Sequence, residues 1–369
     1  MAFQISFTIF LVMSALTFII VIKTKGILSL PLVLGLMTFI LGSYRIIPGD
    51  LIPQSKMHYV GMMAYQVLII HSGTKITWDL LKKYNKEILY FILNTLSLVI
   101  ILKVISTQFG FMKGFNLVIG PMIGGGATAA ITSFMSLKTM PSFSLLPWMV
   151  FMFHHLMALP IIIYFLKRNE GFTPMDLGDR EKTTWDFNQK EIVPQKYKTT
   201  AYYLGVLMII SLVNQLMVRS FFTKVPLSPV VSALFLGVFF RNIRLLEKEP
   251  LNRSDAYGFL MLGLMSLMVN EILSTTTNEV IFLLKPLFML MSLITVVFVI
   301  TNFIFSKFFS FKFSYGGLIL LIPMLPPKMI EPLILKVGKK NKLLIDMLLR
   351  INTFSLSFFS IILTSILNV

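Results

Sequence analysis

The stretch VIGPMIGGGATAAITSF, from Val118 to Phe134, contains three consecutive glycines in a mostly apolar chain. Glycine costs a helix about 1 kcal/mol per residue relative to alanine. A bilayer offers no water to the backbone groups that a loosened helix would expose. Two interpretations follow. The stretch is a face of small residues that packs closely against another helix, or it is a segment whose backbone is open.

The composition indicates an integral membrane protein. Of the 369 residues, 56% are hydrophobic and 13% are charged, whereas a soluble domain has about 25% charged residues. The sequence has no cysteine, which excludes disulfides, thiolate metal sites and cysteine nucleophiles. We interpret the net charge of +17 as a topology signal from cytoplasmic loops and expect no nucleic-acid partner. Because the sequence shows no phosphate loop, catalytic triad or zinc motif, we expect neither an enzyme nor a cofactor.

Long apolar runs predict transmembrane helices at approximately 2–22, 26–43, 58–74, 86–106, 145–166, 200–220, 227–243, 256–273, 284–306 and 345–368. Two further apolar pieces lie at 115–134 and 313–335. The long polar stretch 167–199 separates a first unit, 1–166, from a second unit, 200–369. We predict that this stretch is a cytoplasmic linker.

The sequences of the two units align with each other at an offset of 198 residues. The corresponding pairs include Pro31 and Pro229, Tyr59 and Tyr257, Met63 and Met261, and Phe115 and Phe313. Consecutive apolar segments keep this register without a gap. We interpret the echo as an internal duplication.

The basic residues indicate how the two units are oriented. If 115–134 and 313–335 each dip into the membrane and return, each unit has about five transmembrane helices and the units are inverted. Most of the 33 Lys and Arg residues then lie on the cytoplasmic side, and this bias largely disappears if both pieces cross. We therefore predict an all-α polytopic membrane protein with two inverted repeats. Each repeat carries a re-entrant or broken helical loop, and both termini lie outside the cytoplasm.

Inverted repeats with irregular backbone at membrane depth are typical of secondary transporters. Free amides at a helix N-terminus bind anions, and freed carbonyls bind cations. The candidate binding residues of the first loop are Gly124, Gly125, Gly126, Thr128 and Thr132. Glycine suits such a site because it tolerates positive φ and lets a ligand approach the backbone.

The chain resembles the bacterial sodium/glutamate symporter family over nearly its whole length. The likeness includes a second span that starts with a proline (LPLVLG, 30–35) and a third that ends in a polar turn (IIHSGTKI, 69–76). The loop IGGGATAAI, 123–131, is similar to the Gly-Gly-x-Gly-Thr-Gly-Ala loop of that family, with Gly124, Gly125, Thr128 and Ala129 to Ala130 in matching places.

That resemblance implies uptake of a small anionic substrate, an acidic amino acid, coupled to Na⁺ or H⁺. It further implies two loops that meet at the membrane midplane, and a homodimer in the bacterial inner membrane.

The second loop departs from the family pattern. It reads LLIPMLPPKMIEPLI from Leu320 to Ile334, without glycine. Its candidate binding residues are Pro326, Pro327, Lys328 and Glu331.

Lys328 and Glu331 are three residues apart, so they share a face on a helix. Three interpretations stay open. Lys328 supplies a fixed positive charge in place of a coupled sodium ion, or it pairs with Glu331 as a proton relay. Alternatively, both side chains reach cytoplasmic water from a shallow loop and the site is degenerate.

Polar residues at the ends of the third spans of both units are further candidates. Ser72, Thr74 and Asn270 either line the cavity between the repeats or cap helices at the membrane interface.

Polar residues in other spans are expected to have structural roles. We expect Asn94 and Asn214 to form hydrogen bonds between packed helices. Asp346 and Arg350, four residues apart, are expected to form an ion pair.

We therefore expect a secondary transporter that moves a small organic anion, glutamate-like or another carboxylate, by alternating access. The alternative is a transporter-derived protein that no longer transports. Such a protein would act as a membrane sensor or assembly partner, its site filled by the proline-rich second loop.

Overall fold

The computed structural model describes residues 2–24, 27–109, 112–168, 197–220, 229–247, 249–325, 330, 333–334, 342–355 and 359–367. Within these residues the fold is helical and contains no strand. Seven helices of the described chain are long and apolar enough to cross a membrane by length and composition. The prediction of an all-α membrane protein is confirmed at this level.

The helices of the first unit are α1 (Ala2–Lys23), α2 (Leu30–Ser43), α3 (Leu51–Ser55), α4 (Met57–Gly73), α5 (Trp78–Lys83), α6 (Asn85–Phe109), α7 (Met112–Thr139) and α8 (Leu146–Arg168). Those of the second unit are α9 (Thr200–Ser220), α10 (Pro229–Asn242), α11 (Pro250–Arg253), α12 (Tyr257–Ser274), α13 (Thr277–Phe308), α14 (Phe313–Leu321), α15 (Lys342–Phe354) and α16 (Ser360–Leu367). Short 3₁₀ turns, Pro141–Phe143 and Ile322–Met324, precede α8 and extend α14.

A helix occupies each position where the sequence predicts a span, with three differences in extent. Helix α2 begins at Leu30 rather than at the predicted residue 26, because the Ser29 side chain caps it. Helix α13 begins well before the predicted residue 284, because Thr276 and Glu279 form a reciprocal capping box. The predicted span 345–368 consists of α15 and α16, and residues 356–358 between them lie outside the described part of the chain.

The predicted linker 167–199 is bounded by α8, which ends at Arg168, and by α9, which begins at Thr200. Its residues 169–196 lie outside the described residues. Lys198, just before α9, forms an ion pair with Glu247 in the loop after α10. The same carboxylate accepts hydrogen bonds from Arg253 at 2.6 Å and from the Tyr203 hydroxyl at 2.7 Å. These contacts fasten the start of α9 to the α10–α11 loop.

The corresponding helices α4 and α12 pack closely and run antiparallel. The Ser266 hydroxyl donates to the Met57 carbonyl at 3.0 Å, so the middle of α12 lies beside the start of α4. The rings of His71 and Tyr257 are 5.6 Å apart, so the end of α4 lies beside the start of α12. A Cβ on Gly61 would lie 2.6 Å from the Gly263 carbonyl oxygen. Only residues without a side chain allow this approach of the two backbones.

The turns that follow α2 and α10 repeat the same backbone geometry. Arg45 and Arg244, after α2 and α10, both have positive φ, 54° and 66°, and so do Lys56 and Asp255, after the short helices α3 and α11, 58° and 55°. The members of each pair are 199 residues apart, one more than the offset read from the sequence. Non-glycine residues at positive φ are uncommon, so their recurrence supports the duplication independently of residue identity.

Contacts between rings and polar groups define two ends of the helix bundle. At one end, which we call the Phe313 end, Phe165 of α8 packs against Phe313 with ring centroids 5.5 Å apart. Tyr90 of α6 packs against Phe311 there, with ring centroids 5.2 Å apart. At the other, the Ser144 end, Ser144 donates to Glu271 of α12 at 3.0 Å. The start of α6 and the end of α8 therefore lie at the same end.

The expected ion pair in α15 is confirmed. Arg350 Nε donates to Asp346 Oδ1 at 2.8 Å. The Tyr84 hydroxyl, between α5 and α6, donates to the same carboxylate at 2.9 Å. The pair thus connects the first unit to α15 at the Phe313 end.

Large apolar side chains are exposed along α1, α9 and α13, among them Ile22, Ile209 and Phe282. Soluble proteins rarely expose apolar surface of this extent. The exposure matches helices that face the hydrocarbon of a membrane.

The Gly61–Gly263 contact predicts a large effect of a side chain at Gly61. Gly61→Val would push the added carbons into the α12 backbone, and overpacking of this kind costs about 1–3 kcal/mol. We expect a lower thermal unfolding midpoint in detergent. Gly205→Val is the matched control, because nothing lies within 4 Å of a Cβ on Gly205. Equal losses in both variants would contradict the close contact.

The Glu247 contacts predict a pH dependence of stability. Burial raises the pKa of this carboxyl, but hydrogen bonds from Lys198 and Tyr203 and the charge of Arg253 outweigh burial, so the pKa is lowered. The stabilisation is therefore present above the unfolded-state pKa of about 4.3. It is lost as the pH falls through the folded-state pKa.

We expect acidification from about pH 6 to about pH 3 to lower the unfolding midpoint of the wild type more than that of Glu247→Gln. Thermal unfolding in detergent at several pH values measures both. Parallel curves for the two proteins would show that the Glu247 contacts contribute nothing to this pH dependence.

Candidate functional site

Helix α7 is broken at the middle of the three glycines. Gly125 has φ 68° and ψ −149°, outside the helical region, whereas the residues on either side continue as helix. This backbone conformation is essentially restricted to glycine. Pro121, four residues earlier, lacks an N–H and weakens the helix just before the break. The break divides α7 into a first arm, 112–124, and a second arm, 126–139.

Threonine hydroxyls donate to the backbone of α7 directly after the break. The Thr128 hydroxyl donates to the Gly125 carbonyl at 2.8 Å, and the Thr132 hydroxyl donates to the Thr128 carbonyl at 2.7 Å. Both threonines are fully buried. The sequence predicted these hydroxyls as ligands. In the structure each hydroxyl donates its proton to a carbonyl one turn earlier in the chain, and its oxygen keeps lone pairs that can accept.

The glycine before the break serves helix packing. A Cβ on Gly124 would lie 2.5 Å from the Ser360 hydroxyl of α16, and a Cβ on Gly120 would collide with Thr364. The first arm of α7 thus presents small residues to α16 of the second unit. Both interpretations of the opening stretch therefore hold: Gly124 provides close packing and Gly125 provides an open backbone.

The second irregular segment begins where α14 becomes a 3₁₀ turn. The Asn352 amide of α15 donates to the Ile322 carbonyl at 2.9 Å and to the Leu325 carbonyl at 3.0 Å. Asn352 therefore satisfies carbonyls at the end of α14, a role that the sequence analysis missed. No local pattern could reveal it, because about 30 residues separate the partners. The predicted residues Pro326, Pro327, Lys328 and Glu331 all lie outside the described residues.

One face of α8 contacts both irregular segments. A Cβ on Gly126 would lie 3.1 Å from the Phe151 ring. Phe151 stacks on His154, with ring centroids 5.8 Å apart, and the His154 imidazole approaches the Met324 backbone. The Gly125 break and the end of α14 are therefore neighbours, bridged by Phe151 and His154.

A small cavity lies beside these two segments. Its volume is about 20 Å³, enough for one or two water molecules. Helices α6, α7, α13 and α14 all contribute to its wall. Met122 and Ile123 come from the first arm of α7, Met324 comes from the 3₁₀ turn, and the polar contributors are Asn94 and Thr95 of α6.

The two asparagines expected to bridge helices behave differently. Asn214 donates to the Pro229 carbonyl at 2.9 Å and accepts from Ser232 at 2.6 Å, as predicted. For Asn94 the prediction is wrong. Its amide is buried near the Tyr90 hydroxyl of the same helix, and no described group reaches hydrogen-bond geometry with its nitrogen or oxygen. The side chain instead lines the cavity.

A buried polar cluster lies one turn from Asn94 on α6. The Tyr90 hydroxyl donates to Asn302 Oδ1 at 2.6 Å, and Ser306 lies 3.2 Å from the same hydroxyl. A Cβ on Gly316 would collide with this cluster. Glycine at 316 therefore lets α14 pack directly on the polar groups of α6 and α13.

The three candidates at the ends of the third spans do not join this site. The Thr74 hydroxyl donates to the His71 carbonyl at 2.7 Å and so closes the end of α4, two residues after Ser72. Asn270 adjoins Glu271, which bonds Ser144 at the opposite end of the bundle. None of the three lines the cavity.

In the described part of the chain, no group of three or more His, Asp or Glu residues could hold a metal ion. No protein-family model matches the sequence. No curated protein matches it at a significant level either.

The backbone of Gly125 predicts the effect of adding a methyl group there. Gly125→Ala forces a side chain into a glycine-only conformation, which costs about 1–3 kcal/mol. Gly126→Ala is the matched control, since its backbone is helical and its methyl group would meet two side chains, Phe151 at 3.1 Å and Leu264 at 3.3 Å. We expect Gly125→Ala to lower the unfolding midpoint more than Gly126→Ala does. The reverse order would contradict the break at Gly125.

Proposed function

We propose that the protein is a secondary active transporter that moves a small organic anion across a membrane by alternating access. The observation that carries this proposal is the Gly125 break beside the irregular end of α14, deep in a bundle of apolar helices. Broken helices that meet inside the membrane are the usual site of substrate and ion binding in such transporters.

The proposal includes two inverted repeats. Corresponding helices α4 and α12 run antiparallel, which is the relation expected when one unit is inverted relative to the other. Contacts at corresponding positions support the same arrangement. Gly120 of α7 packs on Thr364 in the last helix of the second unit, and Gly317 of α14 packs on Phe165 in the last helix of the first.

The proposal also makes α7 re-entrant. Helices α6 and α8 are 25 and 23 residues long, enough to span a bilayer. The start of α6 and the end of α8 share the Phe313 end. If both helices span, α7 must begin and end at the Ser144 end, with Gly125 at its innermost point.

The distribution of basic residues supports an orientation with the Phe313 end in the cytoplasm. Basic residues at or beside that end include Lys75, Lys82, Lys83, Arg244, Arg253 and Lys312. Both termini belong to the Ser144 end: Asn116, at the start of α7, donates to the Leu367 carbonyl, and Ser6 bonds Gln54 of α3. We propose that both termini are outside and that the membrane is a bacterial inner membrane.

The proposed substrate is a glutamate-like amino acid or another carboxylate. The second arm of α7 begins at the break, so its first amides present a partial positive charge to the neighbouring site. We propose Lys328 as a second contact for the anion, Na⁺ or H⁺ as the coupling ion, and a homodimer as the assembly.

A specific observation favours the alternative, a transporter-derived sensor or assembly partner. The cavity beside the breaks holds only one or two water molecules, far too little for glutamate. A transporter has to open this region in part of its cycle, whereas a non-transporting protein does not.

Uptake into proteoliposomes tests the proposal. We expect accumulation of labelled glutamate or another small carboxylate driven by an imposed Na⁺ or H⁺ gradient. Gly125→Ala and Lys328→Ala should abolish it, because they alter the break and the proposed cationic contact. Gly205→Ala, on the exposed helix α9, is the control and should transport normally.

No uptake by folded wild-type protein would favour the sensor or assembly role. Normal uptake by both Gly125→Ala and Lys328→Ala would end the assignment of the site to the two loops.

A further inference from the structure

Asn94 has a polar side chain whose burial the rest of the fold does not explain. It is 1% exposed and lies near the Tyr90 hydroxyl one turn earlier, but no described group reaches hydrogen-bond geometry with its Oδ1 or Nδ2. A buried amide without partners is strongly disfavoured. Such a group in a native fold points to a bound ligand or ordered water. Because Asn94 lines the cavity between α6, α7, α13 and α14, that ligand has a place to bind.

The wall of the cavity restricts what can bind. Apart from Asn94 and Thr95, the side chains that line it are apolar, with Phe91, Phe298 and Met324 among them. No charged residue is among those that line it. An ion would lose its hydration there without a compensating charge.

We infer that Asn94 binds a neutral group that both donates and accepts hydrogen bonds. The amide matches it with a donor at Nδ2 and an acceptor at Oδ1. A water molecule meets this description, and so does the hydroxyl or carboxamide head of a small solute. Thr95 supplies a third polar group beside the same space.

The position of the pocket gives it a functional meaning. Helices α6 and α13 occupy corresponding places in the two units, and so do the first arm of α7 and α14. All four meet at the pocket, close to the helix breaks at which inverted-repeat transporters bind their ligands. A neutral group bound by Asn94 would therefore lie beside the proposed anion site and not in it. Ile123 directly precedes the three glycines and Met324 ends the 3₁₀ turn, so movement of either segment reshapes the pocket. This functional meaning rests on the proposed transport, whereas the binding by Asn94 does not.

Cysteine labelling tests the pocket directly, because the chain has no cysteine of its own. Met122→Cys introduces a thiol into the cavity wall. Met268→Cys is the matched control, a buried methionine of α12 that does not line the cavity. The probe is hydrogen peroxide, which is neutral and close to water in size and oxidises the hydrated thiolate to a sulfenic acid. The labelled fraction is the loss of thiol, measured with a maleimide after unfolding. We expect full-length Met122→Cys protein in proteoliposomes to react and Met268→Cys to remain nearly unreactive.

The role of Asn94 is tested by adding Asn94→Leu, which keeps the approximate size and removes both hydrogen-bonding atoms. Loss of one buried polar partner corresponds to roughly 5- to 150-fold in occupancy, so labelling of Met122→Cys should slow at least about fivefold. Thermal unfolding verifies that the double variant is folded. If Asn94→Leu does not fold, Thr95→Val provides the same test from the next residue.

Two results would overturn the inference. One is labelling of Met122→Cys no faster than that of Met268→Cys. The other is labelling that neither Asn94→Leu nor Thr95→Val slows.

Competition distinguishes the two sources of the neutral group. Protection of Met122→Cys by formamide or methanol, the smallest carboxamide and hydroxyl solutes, would identify the head of a solute as the ligand. Equal labelling with and without them would identify water. Labelling needs no transport, so it tests the binding by Asn94 even if the uptake experiment fails.

Discussion

Backbone groups inside a membrane have to find hydrogen-bond partners within the protein, and this constraint governs both irregular segments. At the first, the Thr128 hydroxyl donates a hydrogen bond to the Gly125 carbonyl. At the second, the Asn352 amide donates hydrogen bonds to the Ile322 and Leu325 carbonyls. Each interruption therefore has its own polar side chain three or more residues away. These bonds supply part of the hydrogen bonding that water provides outside a membrane.

Close packing of the two units depends on residues without side chains. Gly61 and Gly263 bring α4 against α12, and Gly124 brings the first arm of α7 against α16. Since α16 belongs to the second unit and α7 to the first, the break is supported from the opposite half of the chain. Any change at the break is therefore coupled to the contact between the units. Such coupling is what an alternating-access transporter requires, and it is equally available to a sensor.

Much of the fold could be predicted because its signals are local. Apolar runs located the helices, the capping residues Thr276 and Glu279 mark the true start of α13, and the glycines before Ala127 marked the break. The candidate site was predicted less completely. Thr128 and Thr132 proved to donate to backbone carbonyls, and Asn352 and Asn94 were not assigned to the site. Their partners or neighbours lie on other helices, which periodicity and spacing do not specify.

The sequence by itself determined the helical membrane architecture, the position of the opened backbone and the echo between the two units. Those properties follow from hydrophobicity, glycine's tolerance of positive φ and residue register, all readable along one chain. Only the tertiary structure decided that Phe151 and His154 of α8 join the two irregular segments, and that Asn94 faces a cavity without a protein partner. Helix periodicity defines which residues share a face, but only the packing of helices from both units defines what that face meets.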